Sequence, residues 1–411
     1  MASAWGLLRR NYVTLNPPVA PRQDGALRFG ILGAANIAPL GIIIPAKSHP
    51  EVVVQAVAAR DQKKAAAFAT KHGIPDVKPD YQSIIDDPNI DCVYIPLPNG
   101  LHYEWTVKAL KAGKHVLLEK PSVANAAEAE SLFRLPLLKE PGAPVLLEAF
   151  HYRFQPSWQY YLTLVDAPNV EHVKASAFLP WFVIASDDDI RFKYDLAGGA
   201  LMDLGTYTIS AIRQTFKGEP EECLDAKFQT MAAPEENADH SWKITWRMKS
   251  GGTAEAEGTL RGKIMQFGPP RLSVTHRETV VEDAKLPIGQ EKTRKRKIEF
   301  ANFMLGWIWH QIDVVDEFVI KNKSNGSVVK SWTEKQTKKA YTFREAGMEG
   351  VGEEHWFTYR HQLEQFVNRV KGRETSTWVD GEDSIAQMRM IDMAYAKAGL
   401  PLRKSPGVTI A

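Results

Sequence analysis

The chain carries only two cysteines in 411 residues, Cys92 and Cys223, far apart in sequence. That excludes a disulfide framework and points to a reducing compartment. No apolar run approaches the roughly 20 residues of a membrane helix, so no membrane role is expected. An excess of one charge is also missing. The formal net charge is +2, too small to set up a global field aimed at nucleic acid or acidic lipid. The eleven histidines show no metal-like clustering with cysteine or acid, and no metal site is expected. Internal repeats and low-complexity tracts are absent. Near the start, a brief apolar stretch precedes Arg9-Arg10, the reverse of the order in a secretory signal, so the expected location is cytoplasmic.

What is present is ordinary globular material, 44% hydrophobic and 24% charged, in a chain too long for one core. Residues 1–26 hold Pro17, Pro18 and Pro21 without periodicity and read as an N-terminal arm. From 27 to 154, strand-like runs (27–33, 52–58, 91–95, 115–118, 144–148) alternate with helical patterns (61–71, 99–112, 124–138). Asp61 is placed to cap the first helix, and Gly73 and Gly113 to stop the first and second. Alternation of this kind predicts right-handed βαβ units and a Rossmann-type parallel sheet that binds a dinucleotide. Beyond 155 the rhythm changes. Strand patterns at 170–179, 226–231, 242–249, 253–260 and between 294 and 343 surround one clear helix near 200–216. This predicts a separate α+β domain over 155–381 with a large, mostly antiparallel open sheet. Helical patterns at 356–371 and 382–397 follow, and 382–411 is set apart as a C-terminal helix and tail.

The run His115-Val116-Leu117-Leu118 ends abruptly in Glu119-Lys120-Pro121-Ser122. As a parallel strand it delivers Lys120 to the carboxyl edge of the sheet, where open α/β sheets bind ligands, and Pro121 stops the ladder. The first strand closes in Gly33-x-Ala35-x-x-Ala38, a degenerate dinucleotide fingerprint. Gly33, Ala35, Asn36 and Ile37 would bring backbone N–H groups close to a pyrophosphate; the bland alternative is an ordinary strand–helix turn. The second strand ends Ala59-Arg60-Asp61. An arginine there suits a 2′-phosphate and favours NADP over NAD, unless Arg60 merely begins a solvated helix. In Pro96-Leu97-Pro98-Asn99-Gly100-Leu101-His102, proline fixes a turn and Asn99 is placed to cap the next helix. His102 would face the sheet edge, where nicotinamide contact and a purely structural role stand about equal. Asp203 and Tyr207 are four apart in Gly198-Gly199-Ala200-Leu201-Met202-Asp203-Leu204-Gly205-Thr206-Tyr207 and share a helix face. Alone, that segment reads as a capped helix with a core tyrosine.

Together these pieces resemble the glucose–fructose oxidoreductase/inositol dehydrogenase/rhizopine catabolism family. The signature comprises Gly30-x-x-Gly33, Glu119-Lys120-Pro121 and Gly198-Gly199-x-x-x-Asp203-x-Gly205-x-Tyr207. Glu148-Ala149-Phe150-His151-Tyr152-Arg153-Phe154, Tyr359-Arg360-His361-Gln362-Leu363 and Gly381-Glu382-Asp383 add to it, and the likeness runs from about 27 to 403. The branch resembled most is that of the dimeric dihydrodiol dehydrogenases and NADP-dependent D-xylose 1-dehydrogenases, which carry tyrosine at the position of Tyr207. Two features depart from it: 292–350 is long, and His151 stands where the dihydrodiol branch has tryptophan.

The resemblance implies hydride transfer between NADP and a hydroxyl-bearing carbon of a sugar, such as C1 of D-xylose, or of a dihydrodiol. It places Lys120, Asp203 and Tyr207 in a cleft between domains and implies a homodimer through the C-terminal sheet. Tyr207 would move the proton, Lys120 would lower its pKa, and Asp203 would orient substrate or tyrosine. Leu97, Asn99, His102, Glu119 and Lys120 join the cofactor contacts. Phe150, His151, Arg153, Trp181 and Arg191 are substrate-pocket candidates. The same fold also serves dinucleotide sensors that move no hydride, but such relatives tend to lose the lysine or the acid–tyrosine pair kept here. The basic run Lys292-Thr293-Arg294-Lys295-Arg296-Lys297 reads as a solvated strand or loop rather than a polyanion site. The aromatic segment 302–310 reads as a sheet face buried between subunits.

Overall fold

The computed structural model describes residues 4–266 and 268–407. Six strands form the first sheet: β1 (Leu27–Leu32), β2 (Val52–Ala58), β3 (Asp76–Val77), β4 (Cys92–Ile95), β5 (His115–Leu118) and β6 (Leu146–Glu148). Their order is β3-β2-β1-β4-β5-β6, and every pairing is parallel. β4 is buried along its whole length, and β1 and β5 nearly so, because helices cover both faces. The strand order reverses between β1 and β4, so the carboxyl ends of β1, β4 and β5 border one crevice.

Local chemistry sets the ends of these elements. The Asp61 carboxylate accepts from the N–H groups of Lys63 and Lys64, and the helix Gln62–His72 closes at Gly73 with φ +67°. At the end of β1, Gly33 adopts φ +109° while its N–H donates to the Ala58 carbonyl at 2.7 Å. A side chain is strained at that φ, which explains glycine at the first position of the fingerprint. Asn99 does not cap the following helix. A 3₁₀ turn, Asn99–Leu101, comes first, and the Asn99 amide instead donates to the Ala197 carbonyl at 3.1 Å.

Nine strands form the second sheet: β7 (Val170–Pro180), β8 (Pro220–Thr230), β9 (Asp239–Met248), β10 (Thr253–Gly262), β11 (Gly268–His276), β12 (Thr279–Val281), β13 (Gln290–Ala301), β14 (Gln311–Asn322) and β15 (Val328–Lys338). The main path runs β15-β14-β13-β11-β7-β10-β9-β8, with β12 beside β13. All pairs are antiparallel except β7 with β10. The basic run 292–297 lies within β13, where Thr293 is buried and Arg296 pairs with Asp316 at 2.8 Å. In the 302–310 segment, Phe303 packs against Tyr152 and Trp158 of the same chain, so part of that segment serves the internal core.

Residues 4–15 correct the expectation of an irregular arm, since Ala4–Leu15 is helical. Arg10 stacks over the Tyr341 ring at 3.9 Å and Arg9 pairs with Glu354, which anchors the helix to 341–354. The last two helices, Thr358–Val370 and Gly381–Lys397, return to the first sheet. Phe366 meets Phe29 of β1, and the Asp392 carboxylate accepts from the Ala126 N–H.

Candidate active site

A cavity of about 740 Å³ lies along the carboxyl edge of the first sheet. Ala34, Ala35, Asn36 and Ile37 after β1, and Pro96 to Asn99 after β4, form one wall together with Glu119 and Lys120 after β5. The opposite wall comes from Asp188–Arg191, Leu196, Gly198, Gly199, Asp203, Tyr207 and Tyr359. Strand ends thus supply the backbone-rich wall, and the second half of the chain supplies the charged and phenolic one.

Lys120 is the hinge of the charge arrangement. Its ammonium donates to the carboxylate and to the backbone carbonyl of Asp203, both at 2.9 Å. The other oxygen of Asp203 accepts from Nε of Arg191 at 2.9 Å, and Arg191 also pairs with Asp189. Burial alone would raise the Asp203 pKa, but Lys120 and Arg191 outweigh it and hold the carboxyl below its usual range. Next to it, burial pushes the Glu119 pKa up although the Tyr94 hydroxyl donates to it at 2.7 Å.

Tyr207 opens the helix Thr206–Phe216 and is buried, with its ring in edge contact with Phe150 and Tyr152. Its hydroxyl stands 2.9 Å from Nε2 of His151, and Nδ1 of His151 stands 3.0 Å from the Thr358 hydroxyl. Lys120 meets the face of the Tyr207 ring, 4.8 Å from its centre. This corrects the expected pKa logic. Burial, reinforced by Tyr359, Glu119 and Asp203, pushes the phenol well above its ordinary value instead of Lys120 drawing it down. Burial likewise lowers His151 to about 3, with Lys120 adding to the effect, so the imidazole is neutral at neutral pH.

The remaining sequence candidates separate. Gly33 forms the turn beneath the cavity wall. Leu97 and Asn99 line the cavity, as does Arg191. His102 does not: it is fully buried, with its ring nitrogens 2.9 and 2.8 Å from the carbonyls of Pro121 and Leu97, and it ties the β4 and β5 loops together. Arg60 is exposed after β2, whereas Lys64, one helical turn on, lines the cavity. Phe150 supports Tyr207 from behind. Arg153 is buried in an ion pair with Asp383, and Trp181 is half exposed outside the cavity lining. Sequence reasoning passed over Lys64, Thr358 and Tyr359. Lys64 lies one helical turn past Arg60, beyond the strand end where a phosphate contact is sought, and the other two lie over 150 residues from Tyr207, with only the Tyr359-Arg360-His361-Gln362-Leu363 segment to mark them.

A model described as an oxidoreductase family with an NAD-binding Rossmann fold matches residues 27–143, and the GFO/IDH/MocA C-terminal domain matches 169–277. A D-xylose 1-dehydrogenase (NADP(+)) of Haloferax volcanii is 31% identical over 372 residues, covering 90% of this chain and 97% of that protein. The chain belongs to the GFO/IDH/MocA oxidoreductase family. As a member it is a nicotinamide-dinucleotide-dependent oxidoreductase. A trans-1,2-dihydrobenzene-1,2-diol dehydrogenase of Xenopus laevis is also 31% identical, over 49% of this chain and 60% of its own length. Among solved structures, KijD10, a 3-ketoreductase from Actinomadura kijaniata in complex with NADP and TDP-benzene, superposes with TM-score 0.64 at 21% identity, covering 90% of this chain and 98% of that one. An aldose-aldose oxidoreductase from Caulobacter crescentus gives TM-score 0.65 at the same identity, over 91% of this chain and 98% of its own. These two likenesses carry the family fold across both sheets. Among the described residues, no helix is long and apolar enough to cross a membrane, and no cluster of three or more potential metal ligands occurs.

Proposed function

We propose that the chain transfers hydride between NADP and a hydroxyl-bearing carbon of a sugar, with C1 of an aldose such as D-xylose as the first candidate and a dihydrodiol as the second. The observation that carries this reading is the convergence of Lys120, Asp203 and Tyr207 on a cavity walled by Ala34 to Ile37 after β1. The residues fit the dinucleotide. Backbone N–H groups of Ala35 to Ile37 would meet the pyrophosphate, Leu97 and Asn99 would border the nicotinamide end, and Lys64 with Arg60 would meet the 2′-phosphate. NADP, when bound, supplies or accepts the hydride.

The protein's own groups handle the oxygen. An ammonium has three donors, and Asp203 engages Lys120 through two acceptors, which leaves one donor for a substrate oxygen. Arg191 and Asp189 on the facing wall would bind further hydroxyls. Tyr207, protonated at neutral pH, exchanges a proton with the substrate oxygen. The reading extends to a homodimer through the second sheet and to a cytoplasmic location.

The test is NADPH absorbance with purified protein across aldoses, polyols and dihydrodiols. Turnover of a member of these classes, with NADP preferred over NAD, is expected. Nucleotide binding without turnover on any of them would replace catalysis by sensing.

A further inference from the structure

The active-site hydroxyl of Tyr207 does not face the cavity alone. It leads inward to Nε2 of His151, then from Nδ1 to the Thr358 hydroxyl, over contacts of 2.9 and 3.0 Å. Thr358 in turn lines a second, separate pocket of about 10 Å³, room for a single water. Around that pocket, four buried polar atoms have no protein partner: Oε1 of Gln155, Oγ of Ser157, Nε1 of Trp307 and Nε2 of His361. Buried polar atoms are ordinarily bonded, and so many together mark a place that water satisfies. Gly306 keeps the space open, because a Cβ there would stand 2.6 Å from Oγ of Ser157 and 2.8 Å from Oε1 of Gln155.

We infer that Tyr207, His151, Thr358 and the water of this polar pocket form a proton relay that connects the substrate oxygen to the far side of the active site. The inference rests on the proposed dehydrogenase reading, since it deepens the role given there to Tyr207. In alcohol oxidation, the C–H bond breaks as hydride passes to NADP, and the C–O bond becomes a carbonyl. The O–H proton goes to the Tyr207 oxygen as the Tyr207 proton moves to Nε2 of His151. His151 then releases its Nδ1 proton to the Thr358 oxygen, and the Thr358 proton leaves to the pocket water. Reduction runs the same steps backwards; after oxidation the relay resets once product has left, as Tyr207 releases its proton to the cavity, Nε2 of His151 returns its proton to the Tyr207 oxygen, and the pocket water returns a proton through Thr358 to Nδ1. Tyr359 fixes the ring for this task by stacking on it at 4.1 Å and 25°. A neutral imidazole has one donor and one acceptor nitrogen, which is what a relay requires. His151 acts through Tyr207 and is therefore a positioning and relay residue.

His151→Gln, which can still bond the Tyr207 hydroxyl but cannot carry the proton through, decides the matter alongside Thr358→Val. For His151→Gln, kcat should fall about a hundredfold or more with KM and NADP affinity kept, and Thr358→Val should fall in the same sense. In mixtures of H₂O and D₂O, the wild-type rate should curve with deuterium fraction, reporting several protons in flight, and become linear in both variants. The tautomer gives a reading without turnover. Nitrogen NMR of the nucleotide-free protein should find the His151 proton on Nδ1. A proton on Nε2 alone, or wild-type rates in His151→Gln and Thr358→Val beside an inactive Tyr207→Phe, would remove the relay and leave the dehydrogenase reading intact. Full turnover in Tyr207→Phe would remove the relay together with the proton-transfer role of Tyr207, and only nucleotide binding without turnover in the wild type would remove the dehydrogenase reading.

Discussion

Lys120 grips Asp203 twice, at the carboxylate and at the backbone carbonyl, each at 2.9 Å. A lysine from the end of β5 is thereby fixed by a residue 83 positions later, and the two halves of the site are set against each other through one ammonium. Lys120→Met and Tyr207→Phe should each lower turnover by about two to four powers of ten, with NADP affinity largely kept. Asp203→Asn should lower it as well, because Lys120 and Arg191 then face each other without their shared anion. Steady-state kinetics with nucleotide titrations checks all three, and near-wild-type turnover in Tyr207→Phe would end its assignment as the proton-transfer group.

Nucleotide choice is expected to lie with Lys64 as much as with Arg60. Lys64 lines the cavity and Arg60 is exposed beyond it. Charge-assisted bonds to phosphate contribute about 1.5–3 kcal/mol. Lys64→Glu should therefore weaken NADP at least about tenfold while leaving NAD much less affected. Fluorescence titration of both nucleotides measures this, and equal losses would place the 2′-phosphate elsewhere.

Glu148 gives a pH signature of stability. It is fully buried at the end of β6 and accepts from the Ser122 N–H at 2.8 Å, and burial pushes it up from 4.5 to about 7. Its folded pKa is the higher one, so between these values the folded state binds more protons than the unfolded chain. Its contribution therefore declines as pH rises through about 4.5 to 7, by a few kcal/mol at most. Glu148→Gln lacks that decline. The Tm of the variant should gain on wild type between pH 5 and pH 8, and a difference independent of pH would contradict the argument.

Arg403 and Asp239 form an ion pair with neither side chain exposed. Asp239 also accepts from the Leu201 N–H and the Tyr395 hydroxyl, and Arg403 donates to the Gly198 carbonyl. Arg403→Met should cost about 3–5 kcal/mol, because a buried carboxylate loses its cation. Urea unfolding measures that cost. Adding Asp239→Asn to Arg403→Met should recover part of it.

The parallel half of the fold was legible because its signals are local. Buried strands read as apolar runs, and Asp61 and Gly73 end their helix by chemistry visible within a few residues. The second half was harder. β11 opens with Pro269-Pro270, which disguise a strand, and it was not anticipated. In the N-terminal helix, Trp5, Leu8, Tyr12 and Leu15 do recur at helical spacing, but they point to solvent, so the usual inference from an apolar stripe would have chosen the wrong face. At the site, Lys120, Asp203 and Tyr207 could be named from their motifs. Where the Tyr207 hydroxyl points could not, since His151 and Thr358 reach it only through tertiary packing. Burial of the phenol, equally invisible in the sequence, overturned the expected effect of Lys120.

The contact of Arg403 with the Gly198 carbonyl has a bearing on how the enzyme is made. β1 to β6 lie within the first 148 residues and can pair as they emerge, because each strand meets neighbours already synthesised or soon to follow. The glycine segment that carries Asp203 toward Lys120 is braced by a residue about 200 positions further on. During synthesis, the cavity wall built from the strand ends can thus form well before the facing wall is secured. A growing chain in this way holds the Gly198 segment without its brace until Arg403 has been made.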